Sequence, residues 1–149
     1  MSTEIRFYHL LSKSLESALP EILTKAVGGG RRVIVKTPDA AMTERLNEHL
    51  WTWDEASFLP HGTKKDGHAS EQPIWLTDGD DNPNNATVLI LTGGAVTQNY
   101  DGLTLCCDML DGNDPEQVDA ARARWKGYKE AGFEVTYWKQ NEAGGWDKK

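Results

Sequence analysis

The stretch Arg32-Val33-Ile34-Val35-Lys36-Thr37-Pro38-Asp39 decides the fold. Three consecutive β-branched residues without polar alternation are typical of a parallel strand that is buried on both faces. The next three residues predict a helix start, because a capping hydroxyl is followed by proline at the first helical position and by an acid in the first turn. We expect this helix to extend to about Leu50. A strand followed by a helix is the repeating unit of an α/β sheet.

The sequence on either side continues the same alternation of strand and helix. Strands are predicted at 5–11, 74–77, 88–91, 103–107 and 133–138, and helices over about 15–26 and 114–131. Pro20 is awkward inside the first of these helices, so we expect that helix to start later than Leu15. The pattern predicts an α/β protein, a three-layer α/β/α domain with a mostly parallel central sheet. We expect one domain over residues 1–140 and a frayed tail over 141–149.

The composition of the chain indicates a small cytoplasmic protein. The 149 residues have a mean hydropathy of −0.60, and the apolar runs are far shorter than the roughly 20 residues that cross a bilayer. No secretory signal is expected at the N-terminus. Cys106 and Cys107 are neighbours, so a disulfide between them is not expected and a reducing compartment fits. The net charge of −7 argues against a broad nucleic-acid surface, because contacts to phosphates dominate that kind of binding.

Sequence patterns of catalysis, metal binding or cofactor binding are lacking. Gly28-Gly29-Gly30 follows a predicted helix, whereas phosphate-binding glycine loops follow a strand and begin a helix. The Asp- and Asn-rich segment 78–85 does not have the spacing of a calcium loop. The four histidines are scattered and do not pair with other ligands at metal-binding spacing. We therefore predict no catalytic residues, no metal and no cofactor.

The helix over 114–131 carries a basic stripe beside an apolar one. Arg122, Lys126 and Lys129 lie within about 60° of one another on a helix with ~100° per residue. One interpretation is an amphipathic helix whose bases face water and whose core residues are Val118, Ala121, Trp125 and Tyr128. Another is a site for an acidic peptide that ends in a hydrophobic residue. Phosphate binding is a third use of the same stripe.

A second cluster of aromatic residues surrounds the end of the helix that follows Asp39. Trp51, Trp53 and Phe58 all lie in the twelve-residue segment 51–62, which is predicted to contain the end of this helix and the loop after it. Tryptophan is enriched at the energetic centres of protein interfaces. The same residues could instead pack the loop onto the domain, and the sequence leaves both interpretations open.

Five segments, taken in series, resemble the chi subunit of bacterial DNA polymerase III. They are Arg6-Phe7-Tyr8-His9-Leu10, Arg32-Val33-Ile34-Val35, Leu46-Asn47-Glu48-His49-Leu50-Trp51, Ser57-Phe58-Leu59-Pro60-His61-Gly62 and Ala123-Arg124-Trp125-Lys126-Gly127-Tyr128-Lys129-Glu130-Ala131-Gly132-Phe133. The resemblance implies a three-layer α/β/α fold without enzymatic activity. It also implies an adaptor between the clamp-loader complex and single-stranded DNA-binding protein.

The resemblance further implies where the main partner binds. The acidic C-terminal tail of single-stranded DNA-binding protein, which ends in a phenylalanine after a proline, is expected at Arg122, Trp125 and Lys126. Leu110 is the expected pocket residue. The family has a basic residue where this chain has Val118, and Lys129 is the candidate substitute.

The resemblance implies a second surface near Trp51 and Phe58, which contacts the psi subunit in members that have one. Through it the chain would join the clamp loader, so that DNA is contacted mainly indirectly. Two rival functions stay open. A parallel α/β sheet is also the architecture of many nucleotide-binding enzymes, and the basic stripe could bind DNA directly.

Overall fold

The structure is a computed structural model that describes residues 3–52, 61–65, 67–97, 100 and 102–149. These residues form seven strands, three α-helices and one short 3-10 turn at Ala69–Glu71. In chain order the strands and helices are β1 (Glu4–Leu10), α1 (Leu15–Gly28), β2 (Val33–Lys36), α2 (Ala40–Thr52), β3 (Ile74–Thr77), β4 (Val88–Leu91), β5 (Leu105–Asp111), α3 (Pro115–Glu130), β6 (Glu134–Gln140) and β7 (Trp146–Lys148).

The sheet has the order β3-β2-β4-β5-β1-β6-β7, and all its pairs are parallel except β6 with β7. Helices α1 and α2 bury Leu19, Leu23 and Leu46 against one face. Helix α3 buries Ala121 against the other. The predicted α/β class with a mostly parallel sheet is therefore confirmed. Strand β1 lies between β5 and β6, which places the end of β1 beside α3.

Helix α1 begins where the predicted range of about 15–26 begins, although Pro20 suggested a later start. It starts at Leu15, with Ser14 as its N-cap, and Pro20 lies inside it. Proline lacks an N–H group, so the carbonyl of Glu16, four residues earlier, has no helical donor. The ring N–H at Nε2 of His49 on α2 donates to that carbonyl at 2.6 Å. A neighbouring helix therefore satisfies the group that Pro20 leaves unpaired, and the expectation of a later start was wrong.

The C-terminal segment is not frayed, in contrast to the expectation from its polar composition. Residues 146–148 form β7, which pairs with β6 in antiparallel register. Trp146 packs edge-on against Tyr8, with ring centroids 4.9 Å apart. The N–H of Lys149 donates to the carbonyl of Tyr137 at 2.8 Å. The half-buried indole of Trp146 and the hydrogen bonds to the edge of β6 order this segment.

Candidate functional site

Helix α3 is held at both its start and its centre. The side chain of Asp114 caps its N-terminus by accepting the N–H of Glu116 at 3.0 Å, and Pro115 occupies the first turn. Ala121 is fully buried, and Val118 and Tyr128 pack partly buried against the core. The capping and proline signals at this helix start were predicted correctly from the sequence.

A buried ion pair fixes α3 to β5. The guanidinium of Arg124 donates from Nε and Nη2 to the two carboxylate oxygens of Asp108, at 2.8 and 3.0 Å. The side chain of Asp108 is 2% exposed and that of Arg124 is 16% exposed. Burial raises the pKa of Asp108, and the Arg124 guanidinium opposes that rise. Two parallel hydrogen bonds of this kind fix an orientation as well as a distance.

A shallow cavity of about 320 Å³ opens between α3 and the edge of the sheet. We call it the α3 notch, and its lining residues are His9, Arg122, Trp125, Tyr137, Lys139 and Lys149. Strand register explains the assembly, because His9 pairs with Lys139 and both side chains therefore point to the α3 side. The hydrogen bond of Lys149 to Tyr137 brings the last residue to the same edge.

Trp125 is exposed in the α3 notch rather than buried in the core. It is 38% exposed. The ammonium of Lys129 lies 5.0 Å from the centroid of its ring, which is within the range of a cation–π contact. Of the four residues that the amphipathic interpretation assigned to the core, Trp125 is therefore the exception. An exposed indole beside several cations suits a ligand that carries both a ring and negative charge.

The α3 notch is electrostatically positive. Burial and the charges of Lys139 and Arg122 lower the pKa of His9, so its imidazole is largely neutral at pH 7. His9 Nδ1 shares a hydrogen bond with the hydroxyl of Tyr137. Among the residues that the structure describes, the ion pair of Arg122 is a loose contact with Asp119, at 4.0 Å. Its guanidinium is therefore available to an incoming carboxylate.

The structure brings together some of the predicted site residues and separates others. Arg122 and Trp125 line the α3 notch, and Lys129 contacts the Trp125 ring. Lys126 is exposed on α3 outside the lining. Leu110 is 1% exposed in the core beneath α3, so it cannot contact a peptide directly in this structure. Alternation along β5 places Leu110 on the face that α3 covers, whereas Met109 lies on the opposite face in the core under α1 and α2.

Of the second predicted surface, only part can be located. Trp51 is 48% exposed, and its ring lies 4.2 Å from that of His61. Phe58 and Trp53 lie outside the described residues. The structure therefore shows one exposed aromatic side chain where the sequence predicted a cluster.

Four residues of the α3 notch were not identified from the sequence: His9, Tyr137, Lys139 and Lys149. Alternation along β1 and β6 predicts on which face of its strand His9, Tyr137 or Lys139 lies. Only the order of strands in the sheet shows that β1 and β6 are neighbours. Lys149 was missed because its segment was expected to be frayed. No pattern in the sequence predicts that two strands more than 120 residues apart form a parallel pair.

A second cavity tests the nucleotide-binding interpretation. It measures about 380 Å³ and lies at the carboxyl ends of β1 and β5, where doubly wound α/β proteins hold nucleotides. The backbone N–H groups of Leu11, Ser12 and Lys13 could cradle a phosphate there, but all three donate to Gln140 Oε1 at 2.9 to 3.0 Å. Gln140 is 3% exposed. These donors are already satisfied, so the geometry does not favour a nucleotide site.

Other chemistry finds no support in the part of the chain that the structure describes. No group of three or more His, Cys, Asp or Glu side chains there could hold a metal ion. Burial raises the pKa of the Cys107 thiol to about 12, which makes it a poor nucleophile. None of the described helices combines the length and apolarity that a membrane crossing requires.

Comparison with known proteins identifies the family. The family model of the DNA polymerase III chi subunit, HolC, matches residues 1–136. The chain belongs to this family. Chi-family proteins are accessory subunits of DNA polymerase III and not its catalytic subunits. Strand β7 and Lys149 lie beyond the matched residues, so part of the α3 notch comes from outside the family model.

Two curated chi proteins are similar to this chain. The probable DNA polymerase III subunit chi of Rickettsia prowazekii (strain Madrid E) is 34% identical over 88 residues, which are 59% of this chain and 53% of that protein. The match thus spans about half the length of the Rickettsia protein. The DNA polymerase III subunit chi of Escherichia coli (strain K12) is 26% identical over 127 residues, which are 82% of this chain and 83% of that protein.

Proposed function

We propose that this chi-family chain is a replication adaptor that binds the acidic C-terminal tail of single-stranded DNA-binding protein in the α3 notch. One observation carries the proposal: Arg122 and Trp125 line the same notch, beside Lys139 and Lys149. Carboxylates of the tail contact these cations, and its terminal phenylalanine ring lies against Trp125. The family has a basic residue where this chain has Val118. Lys139 of β6 and Lys149 supply the positive charge in its place.

The proposed contact is small and depends on charge. A tail of a few residues buries far less than the roughly 1,600 Å² of a standard interface, so the affinity of one tail is expected to be weak to moderate. Positive potential at the α3 notch speeds the encounter with an acidic tail. Several tails on one DNA-bound partner raise the effective affinity by multivalency.

Titration of a synthetic acidic peptide that ends in Pro-Phe tests the proposal. Arg122→Ala and Trp125→Ala are each expected to weaken binding about tenfold or more, equivalent to ~1.4 kcal/mol. Lys126→Ala is expected to weaken it less, because Lys126 does not line the α3 notch. Arg45→Ala is the matched control, since Arg45 is exposed and its ion pair with Glu16 is loose, at 3.8 Å.

The proposal predicts that the peptide needs its ring. A peptide without the terminal phenylalanine should lose most of the binding, and circular dichroism should show that every variant stays folded. Equal binding of the truncated peptide, or equal losses in the Arg45 control, would contradict the proposal.

The link to the clamp loader is proposed to use Trp51, together with Phe58 as the family resemblance implies, through a psi-like subunit. The exposure of Trp51 supports an interface there. Trp51→Ala should reduce co-purification with clamp-loader subunits and leave binding of the tail peptide intact. Loss of both interactions together would argue against two separate surfaces. An adaptor with these partners works in the cytoplasm, where the replication machinery assembles, and contacts DNA mainly through them.

A further inference from the structure

A third cavity opens on the opposite side of the sheet from the α3 notch. It measures about 410 Å³ and lies between the C-terminal half of α1 and strands β1 and β7. We call it the α1 cavity. The half-buried rings of Tyr8 and Trp146 form one wall, and the cations Arg6, Lys25 and Arg31 line it as well.

We propose that the α1 cavity binds single-stranded DNA, with one base against Tyr8 and Trp146 and the neighbouring phosphates on the surrounding cations. Proteins that bind single strands without sequence preference combine aromatic stacking with a basic groove. The α1 cavity has both features, and its volume can hold a base. The proposal is independent of tail binding at the α3 notch.

The aromatic side chains are arranged as a corner that continues into a strip. The planes of Tyr8 and Trp146 meet at 72°, so they present a ring face and a ring edge to the space beside them. In the sheet register Tyr8 lies next to Trp138, and Trp138 next to Lys148. The ammonium of Lys148 lies 5.9 Å from the centroid of the Trp138 ring. A second base therefore has an aromatic and a cation to contact beyond the cavity.

The charges favour a polyanion that carries rings. Arg6 pairs with Glu4 at 2.6 Å, whereas Lys25 and Arg31 have no ion pair among the residues that the structure describes. Within this net −7 protein the lining of the α1 cavity is locally positive. An acidic peptide with one terminal phenylalanine would supply a single ring, whereas single-stranded DNA supplies a base and a phosphate at every position. Successive bases can therefore use the aromatic corner and the strip beyond it while their phosphates contact the cations, and a DNA polymerase subunit works where single strands are present.

Fluorescence anisotropy with a labelled oligothymidylate of twelve nucleotides, dT12, tests this proposal on the full chain. With about three cations engaged, the logarithm of affinity should fall with the logarithm of salt concentration with a slope of about −2. The double variant Lys25→Glu/Arg31→Glu is expected to bind dT12 at least tenfold more weakly. Both side chains are exposed, so the fold should be retained.

A matched double variant on α3 separates this site from the α3 notch. Lys126→Glu/Lys129→Glu makes the same change in net charge on the other side of the sheet. It should leave dT12 binding within about twofold of wild type and weaken binding of the acidic tail peptide. Lys25→Glu/Arg31→Glu should do the reverse. Failure of one site therefore leaves a distinct signature from failure of the other.

Substitutions of Trp146 test the stacking contact. Trp146→Phe keeps a ring and should retain most dT12 binding, whereas Trp146→Leu should lose several-fold. The proposal is overturned if wild type does not bind dT12 at 25 mM salt, or if the α3 variant loses dT12 binding as strongly as the α1 variant. It is equally overturned if the acidic peptide competes for this cavity, or if thymidine monophosphate competes as well as dT12 does.

Discussion

Two arginines on α3, only two residues apart, have opposite surroundings. Arg124 is 16% exposed and holds the carboxylate of Asp108 with two hydrogen bonds. Arg122 is 77% exposed and makes a loose contact with a surface aspartate. An arginine side chain therefore fixes the helix at position 124 and stays available to a ligand at position 122. The two roles differ because Arg124 already has a buried carboxylate partner, whereas Arg122 is surrounded mainly by water.

Strand β6 repeats this contrast at two adjacent residues. Lys139 faces the α3 notch, exposed, whereas Gln140 is buried and accepts three backbone N–H groups. Successive side chains of a strand point to opposite faces of the sheet. Lys139 therefore lies at the α3 notch, whereas Gln140 holds the loop before α1 through its hydrogen bonds. Inward polar groups should therefore control stability, and outward ones should control binding.

The largest expected effect is on the inward side of α3. Arg124→Ala leaves the carboxylate of Asp108 buried without its partner, which is expected to cost about 3–5 kcal/mol of unfolding free energy. Arg122→Ala should change the unfolding free energy by less than about 0.5 kcal/mol. Chemical denaturation followed by circular dichroism measures both.

An apolar replacement of the pair sharpens the same point. Asp108→Leu/Arg124→Met removes both charges together, and it should restore most of the stability that Arg124→Ala loses. If Arg124→Ala proved no more harmful than Arg122→Ala, the contrast between the two arginines would be wrong.

The second prediction concerns Gln140. Gln140→Ala leaves the N–H groups of Leu11, Ser12 and Lys13 without their acceptor, and we expect a loss of about 2–3 kcal/mol. Lys139→Ala, one residue earlier, should be nearly neutral for stability. Denaturation curves of the two variants, measured side by side, decide it. Equal midpoints would show that water replaces the glutamine oxygen without loss.

The third prediction concerns the outward lysines and binding. Lys139→Ala and Lys149→Ala are each expected to weaken the acidic tail peptide about two- to fivefold, with the effect shrinking at high salt. Lys148→Ala is the matched control, because Lys148 points to the other face of the sheet, towards Trp138. A control loss as large as the others would mean that overall charge, not the α3 notch, sets the affinity.

The outlines of the fold could be predicted, because its signals are local. The apolar run of β2 and the cap, proline and acid at the start of α3 specify their elements through neighbours in the chain. Pro20 misled because its compensation comes from His49, which is distant in sequence. The C-terminal segment misled because its order depends on the edge of β6 and on Tyr8.

The candidate site could be predicted only along one helix. Helical spacing places Arg122 and Trp125 close together. The partner of Arg124 comes from β5, and most residues that line the α3 notch beside Trp125 come from β1 and β6. The sequence therefore could not show which of the two side chains would be buried. Leu110 was misplaced for the same reason, because the face of β5 that α3 covers follows from the sheet order.

The smallest expected effect is a dependence of tail binding on pH through His9. Burial, Lys139 and Arg122 lower the pKa of His9, while Asp111 opposes them weakly. A bound acidic peptide adds negative charge beside the imidazole and so raises the pKa of His9. By linkage, peptide affinity should increase two- to threefold as the pH falls from 8 to 5.5, because the complex takes up a proton. His9→Gln should flatten this dependence while keeping a polar side chain. Titrations across that range measure it, and a wild-type profile as flat as that of His9→Gln would remove His9 from the site.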